Sequence, residues 1–152
     1  LRLLDGLVER GVPIDALGVQ SHIGSGNSDD STGFDTAREE HWRGFLDHAT
    51  GLGLDLVISE FDVHDKNLPY DIASRDEAVA ELAGRYLDLM FSYPQCRDVM
   101  AWGLSDSWSW LQNNWPREDG AAKRPTPYDA GLRPKPLRTA IANAFANATA
   151  RR

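Results

Sequence analysis

Leu54-Asp55-Leu56-Val57-Ile58-Ser59-Glu60-Phe61-Asp62-Val63 is the stretch on which the reading of this 152-residue chain turns. It opens as an apolar, β-rich run from Leu54 to Ile58, the composition of a strand buried on both faces. Two carboxylates follow, two residues apart. Side chains alternate along a strand, so Glu60 and Asp62 point to the same side if the strand continues that far. Parallel α/β proteins place their chemistry at the C-terminal ends of such strands. A lone strand-end glutamate is more often an ordinary solvated carboxylate. Here two further stretches end in the same manner.

The first is Ile14-Asp15-Ala16-Leu17-Gly18-Val19-Gln20-Ser21-His22, a short apolar strand with Gln20 and His22 on one side. The second is Asp98-Val99-Met100-Ala101-Trp102-Gly103, ending on Trp102. Helical patterns separate the three. Leu4, Leu7 and Val8 form a stripe that Gly11 and Pro13 terminate. Trp42, Phe45, Leu46 and Ala49 recur at helical spacing before Gly51 and Gly53. Ser74-Arg75-Asp76-Glu77 has the pattern of a capping box, opening a helix with Val79, Leu82, Ala83, Tyr86 and Met90 on one face, which Tyr93-Pro94 stops. A last helix starts near Pro134 and carries Leu137, Ala140, Ile141, Ala144 and Phe145. Gly24 to Gly33 and Leu104 to Arg133 read as loops, and Ala146 to Arg152 as a fraying tail. The alternation predicts an α/β fold of parallel strands joined by right-handed crossovers. All three strands then carry their polar ends on one edge.

Composition narrows the partners. Hydrophobic residues make up 41% and charged residues 26%, as in a globular chain. A formal net charge of −7 argues against a nucleic-acid or anionic-membrane partner. No apolar run approaches the roughly 18 residues of a membrane span. Cys96 is alone and can form no internal disulfide. Leu1 to Val8 reads as the middle of an amphipathic helix, and 152 residues fall short of the roughly 250 of an α/β barrel, so a piece of something longer is expected.

The strand ends together supply chemistry. Glu60 suits a nucleophile or base, His22 a donor to it, and Asp62 an acceptor from the other imidazole nitrogen. Each has a plainer reading alone, His22 as a core histidine and Asp62 as a loop cap; their convergence favours a site. His22, Glu60, Asp62 and His64 are also metal-ligand types, but no compact ligand pair at helical spacing accompanies them, and neither metal nor cofactor is expected. Trp102, Trp108 and Trp110 lie in a polar Ser/Asp-rich segment, with Trp115 and Tyr128 beyond. Indoles there suit stacking on sugar rings. Stacking tryptophans beside a strand-end glutamate suggest glycoside hydrolysis, which generally takes two carboxyl groups flanking the bond.

Four ordered motifs then match a known family. Gln20-Ser21-His22, Ile58-Ser59-Glu60-Phe61-Asp62-Val63, Trp102-Gly103-Leu104-Ser105-Asp106 with Ser109-Trp110-Leu111, and Tyr128-Asp129-Ala130-Gly131-Leu132-Arg133-Pro134-Lys135-Pro136 resemble the C-terminal part of glycoside hydrolase family 10, the endo-β-1,4-xylanases. The resemblance implies a partial (β/α)8 TIM barrel in which residues 1–152 supply strands six to eight with their helices. It assigns Glu60 as the nucleophile, His22 as the histidine bonded to it and Asp62 as the acid supporting that histidine. It places Gln20 near the acid/base and makes Trp102 and Trp110 the walls around the sugar on the non-reducing side of the cleaved bond. The implied partner is xylan or a xylo-oligosaccharide, and the implied location secreted or periplasmic. Ser59, Phe61 and His64 depart from the commoner Thr, Leu and Arg.

One departure is larger. The family's general acid/base sits in a Trp-Asp-Val-Val-Asn-Glu type motif that this chain lacks, and Asp5, Glu9, Asp15 and Asp106 are not in its place. The acid/base and strands one to five are therefore expected outside this sequence, and the chain alone is expected to lack appreciable xylanase activity. Two other readings compete. One is a non-catalytic carbohydrate-binding module built on Trp102, Trp108 and Trp110; the other is a barrel glycosidase acting on another β-1,4-glycan such as cellulose.

Overall fold

A computed structural model describes residues 1–25 and 33–148. Most of the loop expected over Gly24–Gly33 and the last four residues of the expected tail lie outside the described residues. Helix α1 (Arg2–Glu9) leads to β1 (Ala16–Val19) and β2 (His22–Gly24), then α2 (Thr36–Gly51), β3 (Asp55–His64), α3 (Ile72–Phe91) and β4 (Cys96–Ala101). A short helix α4 (Leu111–Asn114) and a long one, α5 (Pro136–Asn147), complete the order.

β3 is the centre of an all-parallel sheet. β1 and β2 pair successively along one side of it, and β4 pairs along the other. Leu56, Ile58 and Val63 are fully buried, as the apolar run requires. They pack with Val79, Ala83, Leu87 and Met90 of α3, Leu46 of α2 and Leu137 of α5. α5 lies against α3, with Phe145 on Phe91 at a 5.0 Å ring separation. α1 buries no residue; Val8 of its apolar stripe is exposed, while Leu4 packs partly buried against the core.

Four local differences from the sequence reading have physical causes. The first strand is interrupted. Ser21 takes a left-handed backbone conformation, φ 68°, which ends β1 and restarts the chain as β2. Between the ladders Val19↔Ile58 and His22↔Asp62, β3 carries residues 59–61 opposite residues 20–21, a bulge of one residue. α3 begins earlier than the Ser74 capping box. Asp71 is its N-cap, and its carboxylate accepts from the Ser74 backbone N–H at 2.8 Å, as a charged oxygen does well at a helix start. β4 starts at Cys96 and ends at Ala101, so Trp102 and Gly103 (φ 105°) turn the chain off the sheet. α5 begins at Pro136, because Pro134 is still engaged in an antiparallel bridge with Tyr128.

Candidate active site

The C-terminal end of β3 presents Glu60 and Asp62 on one side, and the neighbouring strand ends bring Gln20 and His22 to them. The pairing is also fixed through the backbone, since Glu60 N–H donates to the Gln20 carbonyl at 3.0 Å. His22 stands between the carboxylates. Its Nδ1 is 2.9 Å from Asp62 Oδ1 and its Nε2 is 3.2 Å from Glu60 Oε2. Gln20 Nε2 donates to the other Glu60 oxygen, Oε1, at 3.3 Å. The arrangement expected from alternation, an imidazole spanning two strand-end acids, is the one observed.

The two acids differ in environment. Asp62 is 1% exposed, and both its oxygens are engaged, Oδ1 by His22 and Oδ2 by the Trp110 indole Nε1–H at 2.7 Å. Burial pushes its carboxyl above the ordinary aspartate range, with the bonds from His22 and Trp110 pulling the other way. The Glu60 side chain keeps 24% of its surface open at the mouth. With Nδ1–H given to Asp62, a protonated Nε2 donates to Glu60 and steadies its charge; an unprotonated one can accept a proton from Glu60.

Two tryptophans frame the histidine. The Trp110 ring lies 5.0 Å from His22 and the Trp102 ring 6.5 Å away, nearly edge-on. Trp102 follows β4 directly, with its backbone N–H on the Phe61 carbonyl at 2.9 Å, and is 46% exposed. Trp108 is 85% exposed and Trp115 also lies open; of the clustered indoles Trp102 and Trp110 meet His22, and Trp110 also bonds Asp62 directly. His64 turns to a different partner, the Lys123 ammonium at 3.0 Å from its Nδ1. Among the described residues no group of three or more His, Cys, Asp or Glu side chains is arranged to hold a metal ion.

Trp110 sits in the long segment after β4, and buried charge fixes that segment. Lys135 Nζ donates to both Asp106 oxygens, at 3.0 and 2.9 Å, and to the Arg124 carbonyl. Thr126 donates to Asp106 through both its backbone N–H and its hydroxyl. Arg124 forms a two-pronged bond to Asp76 on α3 at 2.6 Å each, and the buried Arg117 reaches the carbonyls of Asp65 and Leu68. Burial pushes the Asp106 carboxyl up and the Lys135 ammonium down, each against the pull of the other. The sequence reading did not identify Lys123, Asp65, Arg75 or Arg117 as interior groups. Nothing local distinguishes a buried lysine from a solvated one when its partners lie some 60 residues away.

Comparisons with known proteins bear on the family and the fold. The profile of glycosyl hydrolase family 10 matches residues 1–144. The thermostable celloxylanase of Thermoclostridium stercorarium is 31% identical over 91% of this chain and 35% of its own length. Endo-1,4-beta-xylanase 5 of Pyricularia oryzae is 29% identical over 95% of this chain and 32% of its own. Native xylanase 10B of Thermotoga maritima superposes with a TM-score of 0.78 at 27% identity, over 95% of this chain and 40% of its own. Xylanase 10B of Thermotoga petrophila, solved with xylobiose, gives 0.77 at 26% identity with the same coverage. The chain thus spans about a third of the length of these curated relatives, and its open parallel sheet is part of a TIM barrel. With a parallel sheet of that kind, and a match running through all but its last residues, the chain belongs to glycosyl hydrolase family 10.

Proposed function

We infer that this chain carries the nucleophile side of a site that hydrolyses internal β-1,4-xylosidic bonds in xylan with retention, as the C-terminal part of a barrel whose other strands lie outside residues 1–152. The observation that carries this reading is the His22 bridge, which holds Glu60 at the mouth while leaving its carboxylate accessible. In this reading Glu60 attacks the anomeric carbon, the bond to the leaving oxygen breaks, and water later releases the sugar from Glu60. Asp62 and His22 position the nucleophile. Gln20 holds its second oxygen and reaches toward the acid/base, and Trp102 and Trp110 wall the sugar.

Retention needs a second carboxyl about 5–5.5 Å from the first. Asp62 is unsuited to that role, being buried with both oxygens committed. The acid/base is therefore assigned to the part of the family's barrel that this chain does not span. Xylan is an extracellular polymer, so the same reading places the protein outside the cytoplasm. Among the described residues no helix is long and apolar enough to cross a membrane.

A substrate whose leaving group needs no protonation isolates the Glu60 step. A 2-fluoro xylobioside with a dinitrophenolate leaving group is expected to add one fluoroxylobiosyl unit to this chain, localised to Glu60 by peptide mass mapping. Glu60→Gln is expected to abolish the adduct. No adduct on the wild-type chain, or one on another residue, would overturn the assignment.

A further inference from the structure

Behind the sheet, on the side away from the carboxylates, one side chain touches the middle residue of both site-bearing tripeptides. Tyr86 rises from α3 and is 2% exposed. Its hydroxyl lies 2.6 Å from Ser21 Oγ, and Ser21 separates Gln20 from His22. Its ring stacks at 10° and 6.1 Å on Phe61, which separates Glu60 from Asp62. Phe34 closes the other approach to the ring, edge-on at 5.1 Å.

Ser21 is where the backbone needs support. A non-glycine residue at φ 68° sits in the sparsely populated left-handed region, and such conformations persist where surrounding structure holds them. The left-handed turn converts two strand directions into one site, because it ends β1 and aims β2 so that His22 falls opposite Asp62. Ser21 Oγ also approaches the Val19 carbonyl at 3.4 Å. A chain in which Tyr86 donates to Ser21 and Ser21 to Val19 uses each proton once. Burial pushes the Tyr86 hydroxyl up to about 12, so it keeps its proton across the working range of any neutral-pH enzyme.

We propose that Tyr86 and Ser21 are positioning residues: the buried hydroxyl pair holds the left-handed turn that sets the His22 imidazole between Glu60 and Asp62. The Phe61 contact makes the brace common to both strands, so the imidazole and the two acids are held relative to one another from behind. The catalytic meaning of this brace rests on Glu60 being the nucleophile; the brace itself does not.

The test reads the imidazole of the 152-residue chain directly. The Nδ1–H resonance of His22 is assigned in nitrogen-15 spectra by its disappearance in His22→Asn. Tyr86→Phe keeps the ring and removes the hydroxyl, and is expected to lose that hydrogen-bonded resonance while the far-ultraviolet spectrum stays that of the folded chain. Ser21→Gly accepts the left-handed conformation without support. It is therefore expected to keep the resonance, both alone and combined with Tyr86→Phe. Should Tyr86→Phe not fold, Ser21→Ala carries the same expectation of loss, since it keeps the Cβ and removes the bonding oxygen.

Retention of the resonance at wild-type intensity in both Tyr86→Phe and Ser21→Ala overturns the proposal. So does its loss in the Ser21→Gly/Tyr86→Phe double variant, which would mean that the Tyr86 hydroxyl acts by a route other than the left-handed turn. These readouts are independent of glycosyl transfer. An absent Glu60 adduct would sink the functional reading and leave the brace standing, and the reverse outcome would do the opposite.

Discussion

The Trp110 indole donates to Asp62 Oδ2 across 2.7 Å, tying a loop residue to a strand residue 48 positions earlier. The bond makes the indole beside His22 and the acid behind that histidine a single unit. It also leaves Asp62 dependent on two donors, because water does not reach it.

Trp110→Phe keeps an aromatic ring and removes the donor. Leaving a buried acceptor unpaired costs about 1–3 kcal/mol. The variant chain is expected to lose that much unfolding free energy in urea titration. A loss within about 0.5 kcal/mol, the range of an unremarkable surface change, would mean that the bond contributes nothing.

Stability should depend on pH through Asp62 in a direction set by burial. Its carboxyl is held above the ordinary aspartate value, so the folded protein binds that proton more tightly than the unfolded chain does. This contribution is complete below about pH 3.9 and is lost as pH rises through the folded value. Asp62→Asn has no such titration. The unfolding free energy of wild type minus that of Asp62→Asn should therefore fall between about pH 3 and pH 7; a difference that rises with pH would contradict the assignment. Asp119 has the opposite sign. Its bond to Arg117 holds it down at about 2, so its contribution is present above the ordinary aspartate value and is lost as pH falls toward 2.

Lys135→Met should be among the most damaging single changes outside the carboxylate group. Among the described residues it leaves Asp106, whose side chain is 4% exposed, with Thr126 as its remaining hydrogen-bond donor and the Arg124 guanidinium, 3.8 Å away, as its remaining counter-charge. Breaking a buried pair from one side costs about 3–5 kcal/mol. Adding Asp106→Asn removes the stranded charge and is expected to recover a large part of the loss. A double variant no more stable than Lys135→Met would show that the cost lies in packing and not in charge.

This chain alone should hydrolyse xylan poorly. Loss of general acid–base help costs about 10²–10⁴-fold, and reducing-sugar release can be compared directly with xylanase 10B of Thermotoga maritima. Equal turnover by the two would require an acid/base among the residues of this chain.

Sequence periodicity carried the strands and the site together. Buried parallel strands need apolar runs, and period-two spacing puts Gln20 with His22 and Glu60 with Asp62 wherever those runs end. That logic operates within about ten residues, which is why it placed the carboxylates and the bridging imidazole. It could not show the break at Ser21, because Ser21 is held by a hydroxyl on a helix 65 residues away. Tyr86 read correctly as a core residue, but its apolar face concealed the use of its oxygen. At Ser74 the sequence offered two good caps three residues apart, and the Asp71 carboxylate is the one that takes the Ser74 N–H. Buried lysines and arginines were invisible because their partners are distant in sequence.

The Asp106–Lys135 clasp joins the two ends of the segment that carries Trp110, while Glu118, Asp119 and Gly120 at its tip stand open to solvent. Glu118 and Gly120 can change without disturbing the indole anchored near the base, whereas Asp119 is tied to the buried Arg117. Insertions at the tip would lengthen an outer rim and leave the bond from the Trp110 indole to Asp62 in place.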